Sequence, residues 1–250
     1  MLMTSNGGRN GTSAHARKHR PARLLAGAAG AFALGWGGYA AATWLRYGHH
    51  RRNGGAGKGE SILIDTFIPE YEVGDRHEIR VAAPAEFALE ALKETDLESI
   101  PLVHAIFKAR ALILGTEADA SELPRGLLTS TLAMGWGVLA EVPGREIVVG
   151  AVTKPWEADV TFHALEPETF RGFNEPGWVK IVWTLEAEPI GPEASIARTR
   201  VRVRTTDARA RAKFRRYWSV FSPGIRLVRR LSLPVVKAAA ERRFLESSPV

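Results

Sequence analysis

The sequence predicts an α+β domain in which a curved antiparallel sheet wraps around one long C-terminal helix. Three observations carry this. Residues 196–204 alternate strictly, Arg198, Arg200, Arg202 and Arg204 to one side and Thr199, Val201 and Val203 to the other, which is the period of a strand with one buried face. After Thr205-Thr206-Asp207, a helix start with Thr or Asp as N-cap, the period changes: Phe214, Tyr217, Trp218 and Phe221 fall at helical spacing. Between them and the chain's first strand lie short apolar runs punctuated by Pro and Gly, the signature of an antiparallel meander.

From the N-terminus, residues 1–23 are Gly/Ser/Asn-rich, basic and without apolar periodicity, which reads as a disordered tail. Leu24–Leu45 carries no charge and is long enough to cross a hydrocarbon core of roughly 30 Å as a helix. The expectation is a single-pass membrane anchor over 24–46, with Trp44 and Tyr47 at the interface. A cleavable signal peptide ending near Ala40-Ala41-Ala42 is the competing reading, disfavoured because the apolar run continues through Thr43, Trp44 and Leu45. Basic residues on both sides leave the side of the membrane undetermined. Residues 47–60, including His49-His50, read as a flexible Gly-rich linker.

The folded domain is expected over 61–245, with 246–250 as a tail. Ser61–Val73 is a mixed apolar lead-in broken by Pro69. Arg76–Ala82 alternates His77, Ile79 and Val81 against Arg76, Glu78 and Arg80, and reads as a strand. Pro84 opens a short helix buried through Phe87, Ala88, Ala91 and Leu92, and a second helix is expected over 97–114. Further segments follow at 132–142, 146–153, 160–165, 170–173 and 178–187. Pro234 is expected to kink or restart the last helix.

The net charge of +7 is unevenly placed: 1–59 holds nine basic residues and no acid, 60–193 is acidic, and 194–250 holds 15 basic residues against three acidic. This reads as a solvated basic end partly neutralised by an acidic body, and no nucleic-acid partner is expected. The absence of cysteine excludes disulfides, thiol nucleophiles and thiolate metal sites.

Strand, two short helices, meander and long C-terminal helix is the order of the helix-grip fold. The chain resembles a bacterial-type branch of the SRPBCC superfamily, which includes START lipid-transfer domains, birch-pollen-allergen-like proteins and polyketide cyclases. The residues that carry the resemblance are IDTFIPEYEVGDRHEIRVAAPAEFALEAL (64–92), VGAVTKPW (149–156), GWVKIVWTLEAEPIG (177–191), the run 197–230 and the terminal AAAERR (238–243). The opening HEIRVAAPAE and the Phe214-x-x-Tyr217-Trp218…Ser222-Pro223-Gly224…Arg229-Arg230 ending are its most specific parts. The resemblance implies a cavity between sheet and helix. It brings no catalytic motif of the enzymatic branches.

If the fold holds, alternation turns Val179, Ile181, Trp183 and Leu185 inward, with Lys180, Thr184 and Glu186 toward water. Thr199, Val201 and Val203 face in from the last strand, and Phe214, Tyr217, Trp218 and Phe221 close the groove from the helix. Such a lining suits an apolar ligand with Thr199 or the Tyr217 hydroxyl as polar anchor; alternatively these side chains simply fill a core. His77, His104 and His163 have no metal-ligand spacing, no phosphate loop is present, and neither metal nor cofactor is expected. Beyond Ser222-Pro223-Gly224, the stripe Ile225, Val228, Leu231 and Val235 is flanked by Arg226, Arg229, Arg230 and Lys237, which could lie on anionic lipid or pack back on the sheet.

Three functions follow. The leading one is membrane-tethered binding or transfer of a hydrophobic, lipid-like or polyketide-like molecule. The second is a cyclase- or hydratase-type enzyme in the same cavity, which needs an ionisable side chain pointing inward, and the alternation above provides none. The third is a scaffold docking acidic partners or lipid head groups, in which reversing Arg198, Arg200 and Arg202 to Glu should abolish capture and leave the fold intact.

Overall fold

The strand expected over 196–204 lies within a longer one in the computed structural model, which describes residues 20–47, 51, 52, 62–96, 108, 115 and 124–247. In chain order the elements are α1 (Arg20–Arg46), β1 (Arg51–Arg52), α2 (Ile62–Phe67), β2 (Glu70–Tyr71), β3 (Val73–Val81) and α3 (Ala85–Glu94). After them come α4 (Leu127–Ala133), β4 (Gly137–Val142), β5 (Glu146–Thr153), β6 (Phe162–His163) and α5 (Pro167–Gly172). The last are β7 (Val179–Gly191), β8 (Ala194–Thr205) and the 40-residue α6 (Ala208–Ser247). The sheet runs β3-β8-β7-β5-β4, with β6 paired to β5, and every pairing is antiparallel. This is the expected α+β architecture of an antiparallel sheet and a long C-terminal helix.

Several elements differ from expectation. The lead-in 61–73 supplies α2 and β2; Leu127–Ala133 is helical, so the strand expected from 132 begins at Gly137; and 170–173 belongs to α5 and the residue after it. The helix expected over 97–114, with His104, lies outside the described residues, as do residues 1–19 and His49-His50. Both Pro223 and Pro234 lie inside α6, which runs on through them without a break. A proline removes one backbone N–H but leaves the hydrogen bonds before and after it in place.

The chain divides into two units, Met1–Ala42 and Thr43–Val250. Most of α1 belongs to the first. The expectation of a membrane-spanning helix over 24–46 is not met: among the described residues, no helix is long and apolar enough to cross a membrane. Gly and Ala dominate the run, and they add little apolar area per residue.

The interfacial role expected for Trp44 and Tyr47 is corrected as well. Tyr47 is buried within the second unit, its ring 5.9 Å from that of Phe214, and its hydroxyl donates to Glu72 at 3.4 Å. The Arg215 guanidinium donates to the Trp44 carbonyl at 2.9 Å through Nε and stacks over the Trp44 ring at 4.1 Å. The linker expected from residue 47 therefore starts as packed structure, and Arg51–Arg52 pairs with Glu70–Tyr71.

The sheet carries apolar layers on both faces. Toward α3 and α6, the inner face gathers Val81, Val149, Val179, Trp183, Leu185, Val201 and Val203 against Ala88, Leu92, Phe214, Trp218, Leu233 and Val236. Toward α2 and α5, the outer face gathers Leu139, Val148, Val152 and Val182 against Ile64, Phe67, Ile68 and Phe170. The outer layer was not expected, and it changes the environment of every outward side chain on β7 and β8.

Lys180, Thr184 and Glu186, expected in water, are buried, as are Arg198, Arg200 and Arg202. Arg198 donates to Glu78 at 2.7 Å and to Glu188 at 2.9 Å, and Arg202 pairs with Asp65 and donates to the Ile68 carbonyl at 2.9 Å. Covered charges persist only when paired and hydrogen-bonded, and these arginines have carboxylates from α2, β3 and β7 to meet them. They are not a free basic face for a partner.

Candidate functional site

The inner face can be built row by row from the strand register. One row runs Val73, Val203, Ile181, Ala151; the next runs Asp75, Val201, Trp183, Val149; beyond it His77 stands opposite Thr199. Aliphatic and aromatic groups thus fill the β8-β7-β5 side, while Asp75, His77 and Thr199 make a polar corner where β3 meets β8. α6 lies over this face. Asp207 starts it, its Oδ1 accepting the backbone N–H groups of Arg209 at 2.6 Å and Ala210 at 2.9 Å. These bonds, with one from the Gly177 N–H, hold the Asp207 carboxyl below its usual range.

The residues expected to line a groove divide into two sets. Val179, Leu185, Val203 and Phe214 are sealed inside the inner layer, at 0–2% exposure. Trp183, Val201, Thr199 and Trp218 keep 5–8% although they sit in mid-sheet or on the helix directly above it. Ile181, Tyr217 and Phe221 are half-buried, and Tyr217 packs between Phe214 and Phe221 with ring centroids at 6.0 and 4.9 Å. Trp136 extends the aromatic wall, edge-on to Trp183 at 6.4 Å.

The three arginines expected on a membrane or partner surface divide too. Arg230 is exposed. Arg226 turns toward β3, its Nε 3.6 Å from Asp75 Oδ2 and its guanidinium 5.9 Å from the Trp218 ring centroid. Arg229 donates from Nη1 to Thr199 Oγ1 at 3.5 Å. Burial pushes the Arg229 guanidinium down to about 10, with Asp75 opposing the shift. His77 Nε2 lies 3.1 Å from the oxygen that faces Arg226, Asp75 Oδ2.

Ionisable groups therefore do point inward, contrary to the expectation that alternation provides none. His77 shares the parity of Ile79 and Val81, so its inward direction was legible; Asp75 was hidden because the strand was placed from Arg76 instead of Val73. For Arg229 the signal was its position on the same helical face as Trp218 and Arg226. His163 is exposed, edge-on to Trp178 at 5.3 Å, outside this site. Among the described residues, no cluster of three His, Asp or Glu side chains could hold a metal ion.

No family model matches the chain, and no curated protein matches it. Solved structures do. A conserved protein from Geobacillus kaustophilus is 13% identical over 70% of this chain and 97% of its own, with a TM-score of 0.31. The Zhui aromatase/cyclase from Streptomyces is 16% identical over 68% of this chain and 94% of its own, at 0.23. The di-domain aromatase/cyclase BexL is 16% identical over 68% of this chain and 46% of its own, at 0.24. At these scores the likeness adds nothing to the reading of the site, which rests on the residues above.

Proposed function

We propose that the chain binds a hydrophobic small molecule between the inner face of the sheet and α6. One observation carries this reading: Trp183, Val201, Thr199 and Trp218 retain solvent access from the middle of the layer, whereas Val179 and Leu185 beside them are sealed. A close-packed core leaves no such access at its centre. Apolar walls with a few convergent polar groups are the usual chemistry of a small-molecule site. Native mass spectrometry of the full chain, followed by organic extraction, tests it. The expected result is a discrete co-purifying hydrophobic mass. An apo mass that no member of a lipid and polyketide panel shifts would sink the reading.

Asp75 and His77 favour a second reading, proton-transfer chemistry on the bound molecule. A carboxylate 3.1 Å from an imidazole can orient the ring and steady the charge it acquires on accepting a proton. Incubation with a linear poly-β-ketone and detection of a dehydrated, cyclised product is the test; unchanged substrate at catalytic and stoichiometric protein leaves binding alone.

A further inference from the structure

The polar corner of the inner face has more cation than carboxylate. Arg226 and Arg229 both reach it from α6, and Asp75 is the carboxylate on the strand beneath them. Asp75 is already engaged by His77 Nε2 at 3.1 Å and by Arg226 Nε at 3.6 Å. Arg229, by contrast, makes no ion pair among the described residues, and its hydrogen bond to the neutral hydroxyl of Thr199 is a long one at 3.5 Å. Arg229 is half-buried, and burial strips part of a guanidinium's hydration, which a single hydroxyl does not restore. Elsewhere in this chain Arg198, Arg200 and Arg202, more deeply buried than Arg229, each have a carboxylate within ion-pair distance.

A second group points the same way. Ser222 is buried, and its hydroxyl has no hydrogen-bond partner among the described residues. Ser222, Arg226 and Arg229 fall at helical spacing on one face of α6, one turn beyond Trp218, so donor groups continue the line of the aromatic wall.

We propose that the bound molecule is an amphipathic organic anion whose carboxylate or phosphate end seats on Arg229, with its apolar body along Trp183, Val201 and Trp218. This rests on the site proposed above and names the class of its ligand. The Arg229 fork donates to two oxygens of the head group, with the Thr199 hydroxyl beside it and the Ser222 hydroxyl two turns back on the same helix face.

Tryptophan fluorescence titration of the full chain with oleate, oleyl alcohol, oleyl phosphate and inorganic phosphate tests it. Oleate and oleyl phosphate should bind about 10- to 100-fold more tightly than oleyl alcohol, the range expected for a charge-assisted pair in a covered site. The ranking of the two acids identifies the preferred head group. Arg229→Gln should remove that advantage, lowering the affinity for the acids far more than that for oleyl alcohol, while Arg229→Lys keeps part of it. Equal binding of oleate and oleyl alcohol by the unaltered chain overturns the inference and leaves the hydrophobic site standing. Binding of inorganic phosphate alone also overturns it, since a free anion would then satisfy Arg229. If no member of the panel binds, the site itself is wrong and the inference falls with it. Because the acid-to-alcohol comparison uses the unaltered chain, it decides the matter even if Arg229→Gln fails to fold.

Discussion

Arg198 of β8 and Glu186 of β7 face each other across the outer side of the sheet, both buried, with Nη1 and Oε2 3.4 Å apart. Around them Glu78 and Glu188 complete the guanidinium's shell, and the Thr184 hydroxyl donates to Glu186 Oε1 at 2.5 Å. Arg200 shares the same carboxylate oxygen at 3.4 Å, so removing Arg198 leaves a buried network with one cation too few for Glu186, Glu78 and Glu188. Arg198→Ala should therefore destabilise the domain by roughly 3 kcal/mol or more, the cost of breaking a buried pair. The double variant Arg198→Leu, Glu186→Leu should not recover this loss, since Glu186 also pairs with the buried Arg200 at 3.4 Å and its removal takes that ion pair away too. Urea denaturation of the three proteins decides it. Reversing Arg198, Arg200 and Arg202 together to Glu should abolish folding, where a solvated basic face would have tolerated it.

Glu72 is the second buried carboxylate, and it holds Tyr47 within the second unit. Its Oε1 accepts from the Thr205 hydroxyl at 2.6 Å and its Oε2 from the Thr205 backbone N–H at 2.9 Å, with Arg211 at 3.6 Å and the Tyr47 hydroxyl at 3.4 Å. Burial first, then the Glu72 charge, raises the Tyr47 hydroxyl far above its usual range, so it stays protonated and donates. Tyr47→Phe should cost about 1 kcal/mol, the net worth of one hydrogen bond. Tyr47→Ala should cost about 3 kcal/mol, because it also opens a void against Phe214. If both variants melt with the unaltered chain, residues 43–47 contribute nothing to the fold.

What the sequence made legible, and what it hid, follows from how local each signal is. Alternation over 196–204 and the helical stripe from Phe214 to Phe221 are set by a few neighbouring residues, and both appear in the structure with the expected sides facing each other. The burial of Lys180, Glu186 and the arginines depends on α2 and α5, each six residues long, too short to show a period. Their partners are equally remote: Arg198 meets Glu78 across 120 residues of chain. Alternation gave the direction of each side chain correctly, but direction toward the far face is not direction toward water. The polar corner of the site was hidden by a smaller displacement, the three residues at the start of β3 that bring Asp75 beside His77.

Two tight turns separate backbone strain from steric clash. Gly135 has φ +96°, and a Cβ there would lie 2.3 Å from the Phe162 carbonyl oxygen. Gly144, in the turn between β4 and β5, has φ +72° and open space around the same position. Gly144→Ala should therefore cost about 1 kcal/mol, the conformational term alone. Gly135→Ala should cost at least about 2 kcal/mol more, because backbone of the β6 strand must move. Equal losses in chemical denaturation would mean that β6 shifts freely away from Gly135.

Lys180 offers a test of outer-face burial that does not depend on any ligand. Its ammonium donates to the Arg171 carbonyl at 3.0 Å and lies 4.9 Å from the Phe170 ring centroid, with no carboxylate in ion-pair range among the described residues. Burial, helped by the charge of Arg204, pushes its pKa from 10.5 down to about 8. Below pH 8 the lysine is protonated folded and unfolded, so the full cost of covering the charge is present and stability has no slope from this group. Between pH 8 and 10.5 the unfolded chain holds a proton that the folded one has released, so this contribution to stability rises with pH. Lys180→Met should accordingly be more stable than the unaltered protein at pH 7 and should lack the rise. Urea midpoints at neutral and mildly alkaline pH check both parts. Parallel curves for the two proteins would show that the ammonium reaches water, and that the layer formed by α2 and α5 does not close over it.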